Sequence, residues 1–157
     1  MNAGCDAAPS CRVRVPATTA NIGPGFDCLG LALDLWNEVR FSLEGDGVLA
    51  TAEGVPEPGL PRDGRNLVAR AFLRLCEEAG VAAPPGLRIP SRIRVPMDSG
   101  LGSSSTAIVA GLLGANTLMG RPFGRDRLLE LAADIEGHPD NVAAALYGGF
   151  VVCGRSG

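Results

Sequence analysis

The segment best suited to chemistry lies between a predicted strand and a predicted apolar helix, and it reads Pro96-Met97-Asp98-Ser99-Gly100-Leu101-Gly102-Ser103-Ser104-Ser105-Thr106. The first turn of a helix leaves four amide N–H groups without partners and carries a partial positive charge. Glycines let the backbone lie close to an anion. Serine and threonine hydroxyls can hydrogen-bond a phosphate or ligate Mg²⁺. The pattern therefore predicts a phosphate-binding loop.

Other interpretations of this segment can be weighed on its spacing. A dinucleotide G-x-G-x-x-G motif fails because its third glycine position is Ser105. The hydrolase motif G-x-S-x-G is absent from the chain. A flexible turn followed by serine helix caps is common in proteins, and the spacing alone leaves it open beside phosphate binding.

All 14 basic side chains are arginine, so the chain contains no lysine. This excludes both the P-loop motif and the protein-kinase VAIK motif, each of which needs a lysine. The net charge of −3 gives no broad attraction to nucleic acid or to an anionic membrane, and neither is expected as a partner. A nucleotide site here must rely on backbone amides, helix dipoles, a metal ion or arginine.

The cysteine pattern and the hydrophobic runs favour a cytoplasmic protein. Five cysteines at irregular spacing, with no C-x-x-C and a single histidine, make a zinc site improbable and are typical of free thiols. The first ten residues have neither the charged nor the apolar region of a signal peptide. No apolar run reaches the roughly 20 residues that a membrane-spanning helix needs.

Strands precede helices along most of the chain, which predicts an α+β fold. We expect a disordered tail over 1–10 and one domain over 11–157. Strands are predicted at 11–17, 36–43, 48–53, 87–95 with an interruption at Pro90, and 148–154. Loops are predicted at 18–30 and 54–65, and helices at 66–79, 104–119, 125–136 and 140–147. A final strand that leaves an edge uncovered indicates a missing C-terminal half.

The glycine-serine loop resembles the P-x-x-x-G-L-G-S-S motif of the GHMP kinases. Two further segments resemble the homoserine kinase branch of that family: residues 15–27, V-P-A-T-T-A-N-I-G-P-G-F-D, and residues 136–143, E-G-H-P-D-N-V-A, followed by Gly148 and Gly149. These motifs occur in the family's order. The resemblance covers nearly the whole chain, but only the N-terminal half of a typical member.

The resemblance implies a fold and an activity. The fold is a ribosomal protein S5 domain 2-like GHMP kinase N-terminal domain, here without the C-terminal ferredoxin-like domain, so the chain is apparently truncated. The activity is ATP-dependent phosphorylation of L-homoserine to O-phospho-L-homoserine, in threonine biosynthesis. The implied cofactors are ATP and Mg²⁺, and a homodimer is the implied assembly.

The resemblance also implies roles for individual residues. Residues 96–106 would bind the nucleotide, and Ser104 with Glu136 would hold Mg²⁺, for which Glu130 is an alternative carboxylate. The predicted catalytic residues are Asp140, Asn141 and Asn21. The predicted substrate-binding residues are Asn21, Asp27, His138 and Asp140. Asp140 could accept the proton of the substrate hydroxyl or only orient it, because phosphoryl transfer can proceed with little activation of the nucleophile.

Two alternatives stay open. The chain could belong to another GHMP kinase that acts on a sugar or an isoprenoid alcohol, although the segment at 136–141 favours homoserine. It could also be a catalytically incomplete fragment that binds nucleotide without turnover.

Overall fold

The computed structural model describes residues 8–23, 28–54 and 59–154. Within these ranges the chain forms five strands, β1 (Ser10–Ala20), β2 (Leu29–Ser42), β3 (Gly47–Glu53), β4 (Gly86–Arg92) and β5 (Phe150–Val152). It also forms four helices in the same ranges, α1 (Leu67–Glu78), α2 (Ser103–Leu118), α3 (Arg125–Glu136) and α4 (Asp140–Tyr147).

The strands make one mixed sheet in the order β1-β2-β4-β3, and β5 also pairs with β2. The β1–β2, β2–β4 and β2–β5 pairs are antiparallel, whereas β3 and β4 run parallel. A parallel pair needs a crossover connection, and α1 lies in the chain between β3 and β4. Alternation along β1 buries Val13 and Val15 and exposes Arg12 and Arg14. One face of the sheet therefore carries the core.

Helix α2 is the centre of the packing on that face. It contacts α1, α3, α4, β1 and β2. Most of its residues are buried, including Ile108 and Leu112, which are each 1% exposed. A helix that is apolar on nearly every face has to be enclosed in this way. None of the described helices is both long and apolar enough to cross a membrane.

The predicted α+β class is confirmed, and the four predicted helices lie within a residue or two of the observed ones. Asn66 caps α1 as expected, because its side-chain oxygen accepts a hydrogen bond of 3.0 Å from the Val68 amide. In the predicted N-terminal tail, residues 1–7 lie outside the described part of the chain, and Ser10 already belongs to β1.

The predicted loop over 18–30 is shorter than expected at both ends. The pairing register of β1 and β2 shifts between Pro16 and Thr18, and pairing then continues through Ala20 opposite Gly30. This continuation keeps the polar and small residues after Pro16 in strand conformation. Tertiary pairing thus outweighs the turn-like composition, which is common for strands.

The predicted interruption at Pro90 is found in the pairing of β4 with β2, but not in its pairing with β3. The β3–β4 ladder runs through Pro90 opposite Thr51. The recorded β2–β4 partners pass from Ser91 to Arg88, with no pair at 89 or 90. Proline has no N–H to donate, which accounts for a break on one side. The predicted last strand shortens to Phe150–Val152; Gly148 is the C-cap residue of α4, and Gly148 and Gly149 have φ of 77° and 63°, outside the range of a strand.

Gly114 of α2 should be a stability determinant, because α2 crosses the sheet directly over Phe41. A Cβ at Gly114 would lie 2.4 Å from a ring carbon of Phe41, which is 1% exposed. We expect Gly114→Ala to lower the free energy of unfolding by about 1–3 kcal/mol, measured by urea denaturation.

The matched control is Gly64→Ala, since a Cβ there meets nothing within 4 Å. This change should be neutral or stabilising by about 0.4–1 kcal/mol. Equal stability of the Gly114→Ala and Gly64→Ala variants would show that α2 does not approach the sheet this closely.

Candidate functional site

The start of α2 is built from an unusual backbone. Gly102 caps the helix with φ of 67°, and Asp98 and Gly100 also have positive φ, at 55° and 72°. Glycine adopts this region at no steric cost, whereas aspartate at positive φ is uncommon. The loop therefore curls tightly before the helix begins. The first-turn amides of α2 follow this curl without intrahelical acceptors.

These amides border a cavity of about 560 Å³. The predicted loop and the start of α2 contribute nine residues to the lining of this cavity: Met97, Asp98, Ser99, Gly100, Gly102, Ser103, Ser104, Ser105 and Thr106. Other parts of the chain also line the cavity, among them Asn37, Arg65, Asn66, Glu136, His138 and Asn141. Arg65 is the one arginine among the described residues of this lining. The cavity thus combines helix-start amides with hydroxyls, two carboxylates (Asp98 and Glu136) and one cation, Arg65, which is paired with Asp63.

Glu136, the last residue of α3, reaches the first turn of α2. Its Oε1 accepts hydrogen bonds from the Ser104 hydroxyl at 2.6 Å and the Ser105 hydroxyl at 2.9 Å. Ser104 is exposed and Ser105 is fully buried. Gly137 ends α3 with φ of 98°, a left-handed conformation that favours glycine. The helix end therefore leaves the Glu136 carboxylate pointing at the predicted loop.

The segment after α3 holds three predicted residues close together. Asp140 is 1% exposed, its Oδ1 accepts a 2.7 Å hydrogen bond from the Asn141 amide, and it lies 3.3 Å from His138 Nδ1. Asn141 and His138 line the cavity, and Asp140 does not. The buried carboxylate therefore lies beneath the two residues that can reach a ligand.

The structure brings most of the predicted site residues together, but not all. Pro96 and Leu101 are not part of the described cavity lining, and neither is Asn21, an exposed residue with φ of 57°. Asp27 lies outside the described residues. Glu130 lies on the exposed side of α3 in an ion pair with Arg127, and it lines a different concavity.

Sequence reasoning missed two buried polar residues that hold the site. Asn37 is 4% exposed; its Nδ2 donates to Thr106 Oγ1 at 3.0 Å, and its Oδ1 accepts from the Arg94 and Val95 amides. Thr18 is fully buried and donates from its amide to the Leu101 carbonyl at 3.1 Å. The sequence pattern could have indicated that Asn37 is buried, because it lies on the same inward-facing side of β2 as Val39 and Phe41. Buried polar groups need partners, and these partners belong to the loop.

A second concavity, of about 740 Å³, lies beside α3, α4 and β5. It shares His138 with the first, but it includes none of the glycine-serine loop. Cys153 lies in its lining, and burial, followed by the charge of Asp140, raises the pKa of that thiol. A neutral thiol is a weak nucleophile, so this region is poorly suited to thiolate chemistry.

The described residues contain no cluster of three or more His, Cys, Asp or Glu side chains that could hold a metal ion. A site that relies on Ser104 and Glu136 therefore offers a single carboxylate. Mg²⁺ in nucleotide sites is often held by one or two carboxylates together with phosphate oxygens and water. The oxygen donors present fit that cation, provided that a phosphate completes its coordination.

Comparison with known proteins gives a consistent result. The sequence profile described as "GHMP kinases N terminal domain" matches residues 66–149. A homoserine kinase of Prochlorococcus marinus (strain MIT 9515) is 51% identical over 150 residues. The alignment takes in 92% of this chain and 46% of that protein. The chain thus spans about half the length of the curated relatives it matches.

Solved structures agree with the sequence comparison. The homoserine kinase from Cytophaga hutchinsonii has a TM-score of 0.81 at 39% identity, covering 94% of this chain and 49% of that one. The mevalonate kinase of Methanococcus jannaschii has a TM-score of 0.74 at 13% identity, covering 94% of this chain and 56% of that one. The second likeness shows the fold alone.

Asn37 should matter for stability because its side-chain oxygen accepts hydrogen bonds from two backbone amides, and the bond from Val95 is buried. Replacing it by leucine leaves the Arg94 and Val95 amides without their acceptor. We expect Asn37→Leu to lower the free energy of unfolding by about 2 kcal/mol or more, measured by chemical denaturation.

Thr106→Val is the comparison variant, since it removes the other partner of Asn37 and leaves both amides bonded. It should cost about 1 kcal/mol. If Asn37→Leu costs no more than Thr106→Val, the loop before α2 is not held by these amide bonds.

Proposed function

Since the chain belongs to the GHMP kinase family, we propose that it forms the ATP-binding part of a homoserine kinase. This enzyme transfers the γ-phosphate of ATP to the hydroxyl of L-homoserine, giving O-phospho-L-homoserine for threonine biosynthesis in the cytoplasm. The observation that carries the proposal is the contact of Glu136 with Ser104 and Ser105 at the start of α2, on the cavity wall.

The phosphates of ATP would lie against the first turn of α2. The amides after Gly102 and the positive end of the helix dipole favour an anion there. Ser103 lines the same wall and supplies a hydroxyl donor. Arg65 lines the cavity as well and adds a positive charge. This arrangement replaces the lysine that other nucleotide sites use.

Ser104 and Glu136 are the residues that would hold Mg²⁺. Their oxygen atoms are 2.6 Å apart, close enough to serve one cation between them. When bound, the ion neutralises negative charge between the β- and γ-phosphates during transfer. The Ser104 hydroxyl donates to Glu136, and this bond keeps both oxygens at the cavity wall.

The acceptor alcohol would lie next to His138 and Asn141, at the same cavity. Asp140 acts as a positioning group, because it is 1% exposed and bonds the Asn141 amide. Asp140 is not part of the described cavity lining, so we assign it this positioning role rather than that of the proton acceptor. A loose phosphoryl-transfer transition state does not require a strong base on the nucleophile. Asn21 and Asp27 remain proposed contacts of the amino acid.

The choice of homoserine over other alcohols depends on the relatives. The curated relatives that are 51% and 53% identical in sequence carry the name homoserine kinase. The mevalonate kinase is only 13% identical, so its similarity shows a shared fold and says nothing about the substrate. The described site offers polar hydrogen-bonding groups, His138 and Asn141, at the acceptor end, which suit a small amino alcohol.

The metal role can be tested by nucleotide binding alone. Wild-type protein should bind ATP more tightly with Mg²⁺ than without it, measured by calorimetric titration. Glu136→Gln should remove most of that gain, by about tenfold or more, since loss of one supporting group typically costs a metal site this much.

Glu130→Gln is the matched control, because Glu130 is exposed on the same helix and pairs with Arg127. It should leave the Mg²⁺-dependent gain unchanged. An equal loss in both variants would assign the effect to the general charge of α3, and no loss in either would remove Glu136 from the metal site.

The acceptor can be tested by coupled ADP release from the purified protein with a panel of alcohols. L-homoserine should support the highest kcat/KM, and mevalonate and galactose should support at most about a hundredth of it. Preference for another alcohol would replace homoserine as the substrate. Tight ATP binding without turnover on any alcohol would favour a nucleotide-binding chain that needs a further part.

A further inference from the structure

Thr18 is a buried polar residue of β1 that contacts both the loop before α2 and the start of α4. It is fully buried, and it follows the register shift between β1 and β2 at Pro16. Such a shift turns the following side chain towards a new neighbour.

The side chain of Thr18 reaches the acceptor side of the cavity. Its hydroxyl donates a 2.8 Å hydrogen bond to Asn141 Oδ1, across 123 positions of sequence. The backbone of Thr18 bonds the phosphate-side loop through its amide and the Leu101 carbonyl at 3.1 Å. One residue therefore connects the start of α2 with the start of α4.

Gly102 shows how closely Thr18 fits against the loop. A Cβ at Gly102 would lie 2.0 Å from Thr18 Oγ1 and 3.2 Å from its carbonyl oxygen. A residue larger than glycine would push the threonine away from Asn141. Glycine at this position is thus required by the approach of Thr18, as well as by its φ of 67°.

The direction of the Thr18 bond decides what Asn141 can do. An asparagine side chain has an acceptor oxygen at one end and a two-hydrogen donor at the other. With Oδ1 held by the Thr18 hydroxyl, the Nδ2 end is left for the cavity that Asn141 lines. The backbone amide of Asn141 is fixed at the same time by Asp140 Oδ1 at 2.7 Å. The side-chain NH₂ of Asn141 is then the group able to donate to a ligand oxygen in the cavity.

We infer that Thr18 is a positioning residue that locks the amide of Asn141 with its donor end towards the reacting oxygens, an inference that rests on the proposed kinase function. It acts through Asn141 and does not touch the substrate. Asn141 then donates to the hydroxyl oxygen of the acceptor or to an oxygen of the transferred phosphate. Losing the Thr18 hydroxyl would free the amide to rotate.

The first test needs no substrate. In ¹⁵N NMR spectra, Thr18→Val should shift or broaden the side-chain amide signals of Asn141, while Thr18→Ser should keep them near their wild-type positions. Thr117→Val serves as the matched control, because Thr117 is near the far end of α2 and outside both cavity linings. Unchanged Asn141 signals in Thr18→Val would overturn the inference, whether or not the protein is a homoserine kinase.

The second test is a double-mutant cycle on homoserine-dependent turnover. Thr18→Val should lower kcat by about tenfold or more with KM for ATP changed less than about threefold, and Thr18→Ser should stay within about threefold of wild type. In an Asn141→Ala background, Thr18→Val should have almost no further effect, because the two residues act as one unit.

Three results would contradict the inference in this cycle. The first is a full additional loss from Thr18→Val in the Asn141→Ala background. The second is an equal loss in Thr18→Ser and Thr18→Val. The third is an Asn141→Asp variant with wild-type kcat, since aspartate can accept from Thr18 but has no amide donors for the cavity. Absence of ADP release in wild type would refute the proposed function alone, and the NMR test would still decide on Thr18.

Discussion

The position of the first turn of α2 is the constraint on which the rest of the site depends. Three elements fix it from different sides. β1 bonds the Leu101 carbonyl through the Thr18 amide, and β2 bonds Thr106 through Asn37. The end of α3 bonds Ser104 and Ser105 through Glu136. A helix start held in this way can present its amides to an anion without rearranging, which is the basis of electrostatic preorganisation.

A site without lysine has to obtain its positive potential from other sources. The helix dipole and the amides of the curled loop before Gly102 are the main sources, because Arg65, which lines the same cavity, is paired with Asp63. In the proposed site, Glu136 would supply a carboxylate for a divalent cation, and Asp98 is the other carboxylate of the described lining. These features result from the backbone geometry before α2 and from the contact between the start of α2 and the end of α3. They therefore depend on the fold more than on any one side chain.

Much of the fold could be predicted because local signals and tertiary packing agree. The apolar run of α2 and the cap at Asn66 have direct physical meanings in sequence. The extent of β1 and β2 could not be predicted, because pairing beyond the register shift at Pro16 depends on the partner strand. In the site, the loop and Glu136 could be proposed from motifs. Thr18 could not, since its contacts with Leu101 and Asn141 join segments that are distant in sequence.

We propose that the amides at the start of α2 bind the phosphates of a metal-bound nucleotide. The most direct measurement is an amide NMR titration of the ¹⁵N-labelled protein with Mg·ATP. We expect the largest shifts on Gly100 and on Gly102 through Thr106, at the wall of the 560 Å³ cavity. Saturable shifts confined to α4 and β5 around the second concavity, with no change between Gly100 and Thr106, would contradict it.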